Sequence, residues 1–385
     1  MNDWRERGRV PGFTSTGSKR PDALFGTPAQ MSRSSGCRVW DADGREYVDY
    51  VMALGAVALG YGHPVVNRAA IAAIEAGVVG ALPPVSEQQL ADALGARLPW
   101  LERVRFLKTG AEAVAAAVRL ARVATGRDQV LGCGYHGWLD WCQGAIDGVP
   151  AATRSLFAEL PFNDVVASRE MIRARARTLA AVVVEPLVVD EPSREWLEML
   201  RVESSRAGAV LIFDEIKTAF RLSVGGAVER YGVRPDLVVL GKALANGFPL
   251  AVVGGRADLM AGASRTWISS TLATEGVALA AARATLDVFE REDVCAHLHR
   301  VGTRLLHGLH QLQRAHRDKV TGVAGVPEMC FLHYATDELS QRAATAAAER
   351  GVLFKRTAYN FVSFAHDEAI VDRTLTVLDE TLRVL

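Results

Sequence analysis

Cysteine is scarce in this chain of 385 residues. There are five, Cys37, Cys133, Cys142, Cys295 and Cys330, odd in number, far apart, and without a C-x-x-C pair. That pattern fits reduced, buried thiols and excludes a disulfide framework or a cysteine-based zinc or redox motif. An excess of charge is lacking too: 44 Lys and Arg balance 44 Asp and Glu, interspersed rather than blocked. No field then exists to gather nucleic acid or an anionic membrane. No apolar run approaches the roughly eighteen residues that a bilayer crossing takes. The opening "MNDWRERGRV" is charged where a secretory leader turns apolar. These absences predict a cytoplasmic protein with no nucleic-acid partner, no membrane and no metal. Repeats and low-complexity tracts are missing as well.

What is present is apolar bulk, 49% of residues with a mean hydropathy of +0.10, enough for one large core and a smaller domain. Residues 1–36, rich in Gly, Pro, Ser and Arg, read as an extended arm. "CRVWDADGREYVDYV", Cys37 to Val51, alternates apolar and polar around Asp43-Gly44, a hairpin signature. "AVAAAVRLARVAT", Ala113 to Thr125, has helical periodicity and strong helix formers. Histidines between Cys295 and His316 recur at helical spacing among Leu and Arg and read as a solvated helix face. Three apolar runs follow one another: "AAVVVE" ending at Glu185, "AVLIFD" at Asp214 and "DLVVLGK" at Lys242, 29 and 28 residues apart. That is the rhythm of βαβ units in a parallel sheet covered on both faces.

Ligands of such sheets gather beyond the carboxyl ends of the strands, where all three runs end in an ionisable residue. One lysine at a strand exit is ordinarily a solvated end charge; three charged exits on successive strands are not ordinary. A partly desolvated lysine becomes a nucleophilic amine, and a nearby aspartate is either its salt-bridge partner or the holder of a proton on a ring nitrogen. Pyridoxal phosphate requires both groups. Thr109-Gly110, at the start of the long helix, is a phosphate cradle or simply a helix cap. Tyr135, in "GCGYHGWLDW", either lies flat on a planar cofactor or plugs its loop.

Taken together, the motifs resemble those of class III, fold-type I pyridoxal-phosphate aminotransferases, nearest the glutamate-1-semialdehyde aminomutase-like branch. The likeness runs from "VWDADGREYVDYV" and "LGYGHP" to the terminal "FVSFAH". "FDEIKTAFR" is similar to the family's F-D-E-V-x-T-G-F-R, and "LGKALANGFPLAVVGG" to its L-G-K-x-x-G-G-G-x-P block. The resemblance implies an α/β fold with a mostly parallel central sheet. An arm and hairpin over 1–50 would pack with a small α+β domain over 275–385, and a large domain would span 51–274. It implies that Lys242 carries the cofactor's aldehyde and shuttles a proton, that Asp214 pairs with the ring nitrogen, and that Tyr135 and Ile216 cover the two ring faces. Thr109, Gly110 and Ala111 match the phosphate cup, Glu185 a strand-end position near the cofactor, and Thr271 a threonine that reaches the neighbouring subunit's phosphate. A homodimer with active sites at the interface is implied with it.

Departures from the family pattern bear on activity. Ala111 replaces a hydroxyl residue of the cup, and Lys108 stands just before it as an added positive charge to compensate. Glu275 stands where Asn or His is usual. Ala358 falls about where the aminomutase branch has a glutamate. In the arm, Ser18, Lys19 and Arg20 are candidate substrate contacts or solvated charges, and Lys355 and Arg356 candidate partners for an acidic amino donor. The expected reaction moves an amino group from a donor such as glutamate to an aldehyde or ketone, an oxo-sugar or another specialised-metabolite precursor. The alternative is intramolecular amino transfer or epimerisation of the glutamate-1-semialdehyde type.

Overall fold

The computed structural model describes residues 9–144 and 146–385; most of the charged opening, residues 1–8, lies outside them. The chain forms two compact units, one of Met1–His63 with Ala296–Leu385 and one of Pro64–Cys295. The large domain was expected over 51–274; the large compact unit includes the helix Gly276–Arg291, whose Leu279, Ala282 and Leu286 are buried and which packs on the helices Pro64–Ala76 and Val85–Arg97.

The large unit is built on seven strands: β1 (Arg103–Leu107), β2 (Gln129–Cys133), β3 (Phe157–Glu159), β4 (Leu179–Val184), β5 (Val210–Asp214), β6 (Leu237–Leu240) and β7 (Ala251–Gly255). Their order across the sheet is β1-β7-β6-β5-β4-β2-β3. All run parallel except β7, which is antiparallel to both neighbours. Every residue of β4, β5 and β6 is buried, which is why these strands read as unbroken apolar runs rather than alternating ones. The helix Gly110–Thr125 covers part of the sheet with Val114, Val118 and Leu120. It starts at a capping box, Thr109 with Glu112, and stops at Gly126, whose φ of 65° gives the left-handed turn that ends a helix cheaply only on glycine.

In the other unit the expected hairpin pairs Arg38–Asp41 with Glu46–Asp49. The Asp41 carboxylate accepts from the amides of Asp43 and Arg45 and from the Tyr47 hydroxyl, closing the turn. Part of the expected arm departs from an extended tether. Met31–Ser35 is a strand paired antiparallel with Arg38–Asp41, held by backbone bonds although its side chains are mostly exposed. The unit also holds the strand Val352–Leu353, parallel to Glu46–Asp49, a three-stranded sheet of Val320–Val326, Met329–Tyr334 and Asn360–Phe361, most of the helix Val294–Ala315, and the helices Asp337–Glu349 and Glu368–Val384. Among the described residues no helix is long and apolar enough to cross a membrane.

Candidate active site

The register of the large sheet aligns the three charged exits. Val184 faces Phe213 and Asp214 faces Val239 across neighbouring strands, so Glu185, Asp214 and Lys242 leave the sheet along one edge. Lys242 follows Gly241 and opens a short 3-10 turn, Lys242–Ala245. Its φ is 46°, a left-handed conformation that a lysine holds only at a cost and that clusters at functional positions. The side chain is half-buried. Desolvation lowers its pKa below that of a free lysine and outweighs the pull of Glu185 and Asp214 in the other direction; the nearby Lys217 and Arg221 lower it further.

Asp214, 2% exposed, ends β5. Its Oδ1 accepts from the Ile216 amide at 3.2 Å, and its Oδ2 lies 2.8 Å from Nδ1 of His136. His136, 3% exposed, escaped the sequence reading although it directly follows Tyr135; its pairing with a residue 78 positions away leaves no local trace. The Ile216 side chain fits against two glycines. A Cβ at Gly110 would lie 2.5 Å from its Cδ1, and one at Gly241 would lie 3.6 Å from its Cγ1 and Cγ2. Glycine at 110 is thus what lets the helix start approach the residue beside Lys242.

At that helix start Thr109 is the cap. Its hydroxyl accepts from the Glu112 amide at 3.2 Å, and the Glu112 carboxylate accepts from the Thr109 amide at 2.8 Å. The cap leaves the first-turn amides of Gly110 and Ala111 without intrahelical partners. Ala111 abuts the loop after β2, where a Cβ at Gly137 would sit 2.4 Å from its own Cβ. Tyr135 stands on that loop, 69% exposed.

Two ion pairs were not legible in sequence. Glu185 binds Lys217 at 2.9 Å, both side chains nearly buried, and packs over Gly134, whose φ of 99° brings backbone against the carboxylate. Lys108 binds Glu275 at 2.7 Å. The Lys108 ammonium, expected to lend its charge to the phosphate cup, is held by the residue that caps the helix Gly276–Arg291. Glu215, fully buried, accepts from the amides of Ala227 and Val228 and from the Thr218 hydroxyl; burial raises its pKa to about 7. Thr271 lies exposed in the loop ahead of Gly276–Arg291.

The remaining candidates belong to the other unit. Ser18 and Lys19 are exposed on the turn Gly17–Lys19. Arg20 is exposed beside Asp22 at 4.0 Å. Arg356 donates to Ser340 Oγ at 3.4 Å and to the Asp22 carbonyl at 3.5 Å, tying the arm to its own unit. Lys355 is buried and donates to the Ala358 carbonyl at 2.8 Å, which spends the ammonium inside the fold.

The large-unit edge therefore offers a weakly basic amine, a buried carboxylate anchored on two sides, and two open amides at a helix start. The Aminotransferase class-III description matches residues 23–382. The FumI protein of Sphingopyxis sp. MTA144, solved as its pyridoxal-phosphate internal aldimine, superposes at a TM-score of 0.91 with 26% identity, covering 98% of this chain and 93% of its own. An omega-transaminase from Sphaerobacter thermophilus does so at 0.88 with 26% identity, over 100% and 99%. A beta-phenylalanine aminotransferase from Variovorax paradoxus does so at 0.86 with 27% identity, over 97% and 90%.

Proposed function

The chain belongs to the class III aminotransferases and is a pyridoxal-phosphate-dependent transaminase, and from that premise we propose which residues run the reaction and what it acts on. The observation that carries the reading is the half-buried Lys242, in a left-handed turn and with lowered basicity, on the same sheet edge as Asp214. The residues suit the cofactor: Ile216 fills the space beside Gly110 that a Cβ would take, and the amides of Gly110 and Ala111 stand open at a helix start, where the helix dipole favours a phosphate. Bound there, pyridoxal phosphate supplies an electron sink for the charge left when a carbon beside nitrogen loses its proton.

The chain's own residues do the rest. Lys242 supplies the amine that holds the aldehyde, and its lowered pKa frees the nitrogen lone pair to accept and return the proton. Asp214, fixed by His136 and the Ile216 amide, would pair with the ring nitrogen. Ile216 and Tyr135 cover the ring's faces, and Glu185 with Lys217 closes the edge against water.

The amino donor is glutamate or a compound whose amine lies away from the carboxyl group, and the acceptor is an aldehyde or ketone of specialised metabolism, taken up in the cytoplasm. Support for a remote amine comes from the relatives named for omega-amines and beta-phenylalanine. Ala358, in place of the aminomutase glutamate, speaks for release of an oxo product. Leu82, Trp138, Trp267 and Leu272 are large apolar side chains exposed on the large unit; they support a second copy as their cover, with Thr271, next to Leu272, reaching the partner's phosphate.

The test is spectroscopic. Loaded with pyridoxal phosphate, the protein is expected to show a visible band that glutamate, a β-amino acid or an ω-amine bleaches with release of one oxo compound. Lys242→Ala should lack the band and lose about 10⁴-fold in turnover. A band that persists with every donor overturns the reading. Isomerisation without oxo release replaces it by intramolecular transfer.

A further inference from the structure

Two polar atoms beside the site are buried without a hydrogen bond: Nε2 of His136 and Nε1 of Trp141. They belong to neighbouring rings, nearly parallel at an interplanar angle of 21°, with centroids 6.2 Å apart. Trp141 is 9% exposed. Its other surroundings are apolar: Phe157 meets it edge-on at 5.9 Å, and Val130 and Ala181 share its core cluster. An indole N–H only donates; a neutral imidazole accepts at the nitrogen that carries no hydrogen. Burying either group unpaired costs its full desolvation. A buried donor and a buried acceptor on neighbouring rings, neither with a direct partner, are what a single ordered water joins.

We propose that Trp141 is a positioning residue for the reaction centre: through one bridging water its indole N–H satisfies Nε2 of His136 and holds that histidine in the Nδ1–H tautomer that donates to Asp214. The inference rests on Asp214 as partner of the ring nitrogen. The 2.8 Å contact between Nδ1 and Oδ2 needs a hydrogen on it. Placed on Nδ1, it is donated to the Asp214 carboxylate. Placed on Nε2 of a neutral ring, it turns two lone pairs against each other and confronts the bridging water with two donors, sending both of its own hydrogens toward apolar walls. The side chains next in sequence do not compete for Nε2: Cys142 points its thiol at the Leu139 carbonyl at 3.3 Å, and Gln143 donates to the Gly137 carbonyl at 2.7 Å.

The experiment is nitrogen NMR on full-length protein with ¹⁵N-labelled histidine, before and after pyridoxal phosphate is added. Wild type should show His136 with hydrogen on Nδ1 and a hydrogen-bonded, bare Nε2. Trp141→Phe keeps the ring and removes the donor. It should move the Nε2 resonance toward the unbonded position and, in the loaded protein, shift the visible absorption maximum. Unchanged ring-nitrogen shifts in Trp141→Phe overturn the proposal. Should that variant not fold, the wild-type spectrum alone decides, since hydrogen on Nε2 overturns it outright. The tautomer is read without turnover, so it can fail while transamination stands, and the reverse.

Discussion

The helices Gly110–Thr125 and Gly276–Arg291 are both 16 residues long and both start on glycine. Their first turns are used in opposite ways. In the first, Thr109 caps the Glu112 amide and leaves those of Gly110 and Ala111 open. In the second every early amide is taken: Gly276 donates to the Val78 carbonyl at 2.7 Å, and Val277 and Ala278 donate to the two oxygens of Glu275 at 2.8 and 3.0 Å. The Glu275 charge is then met by Lys108, the residue immediately before Thr109. A hydroxyl cap keeps a helix start receptive to an anion, whereas a carboxylate cap occupies the same position with its own.

Breaking that pair should have the largest effect on this comparison. Lys108→Met strands a nearly buried carboxylate and is expected to cost about 3 kcal/mol of stability, read as a lower denaturant midpoint, with Glu275→Gln on the same background restoring most of it. An unchanged midpoint would show that the two starts are not coupled. Next comes Gly110→Ala, which drives a methyl into Ile216 and should raise the Kd for pyridoxal phosphate about 10-fold, the equivalent of ~1.4 kcal/mol. Adding Ile216→Val removes the Cδ1 that collides and should recover part of the loss; equal affinity in Gly110→Ala and wild type would disprove the cradle.

A pH test sharpens the rule on a third helix start, Gly226–Tyr231, where the carboxylate of buried Glu215 fills the first turn. Its pKa rises from 4.5 to about 7 by desolvation, so the folded state holds the proton more tightly than the unfolded one. Stability should therefore fall as pH rises between about 4.5 and 7 and level off above. Urea midpoints of Glu215→Gln should lack that slope; if they keep it, the titrating group is another.

Much of this was legible in advance because it is local. Unbroken apolar runs marked β4, β5 and β6, since a strand buried on both faces needs no polar partner within it. Asp43-Gly44 marked the hairpin, and Thr109 with Glu112 marked the helix start. The strand Met31–Ser35 was not legible: its sequence, MSRSS, carries no alternation, because an exposed strand is held by backbone bonds that any side chain permits. His136 was passed over for a related reason, since nothing within a few residues of it says which carboxylate it meets.

The amino-acid sequence by itself settled the βαβ rhythm, the charged exits Glu185, Asp214 and Lys242, and the glycines that flank them, because pleat, helical period and turn preference act over a few residues. Only the tertiary structure decided that Asp214 is held by His136, that Lys108 is spent on Glu275 across 167 positions, that Lys217 closes on Glu185, and that Ile216 fits against both Gly110 and Gly241. Those pairings depend on strand order and register, and charges or apolar groups without a local partner are free to choose one only when the whole sheet has formed.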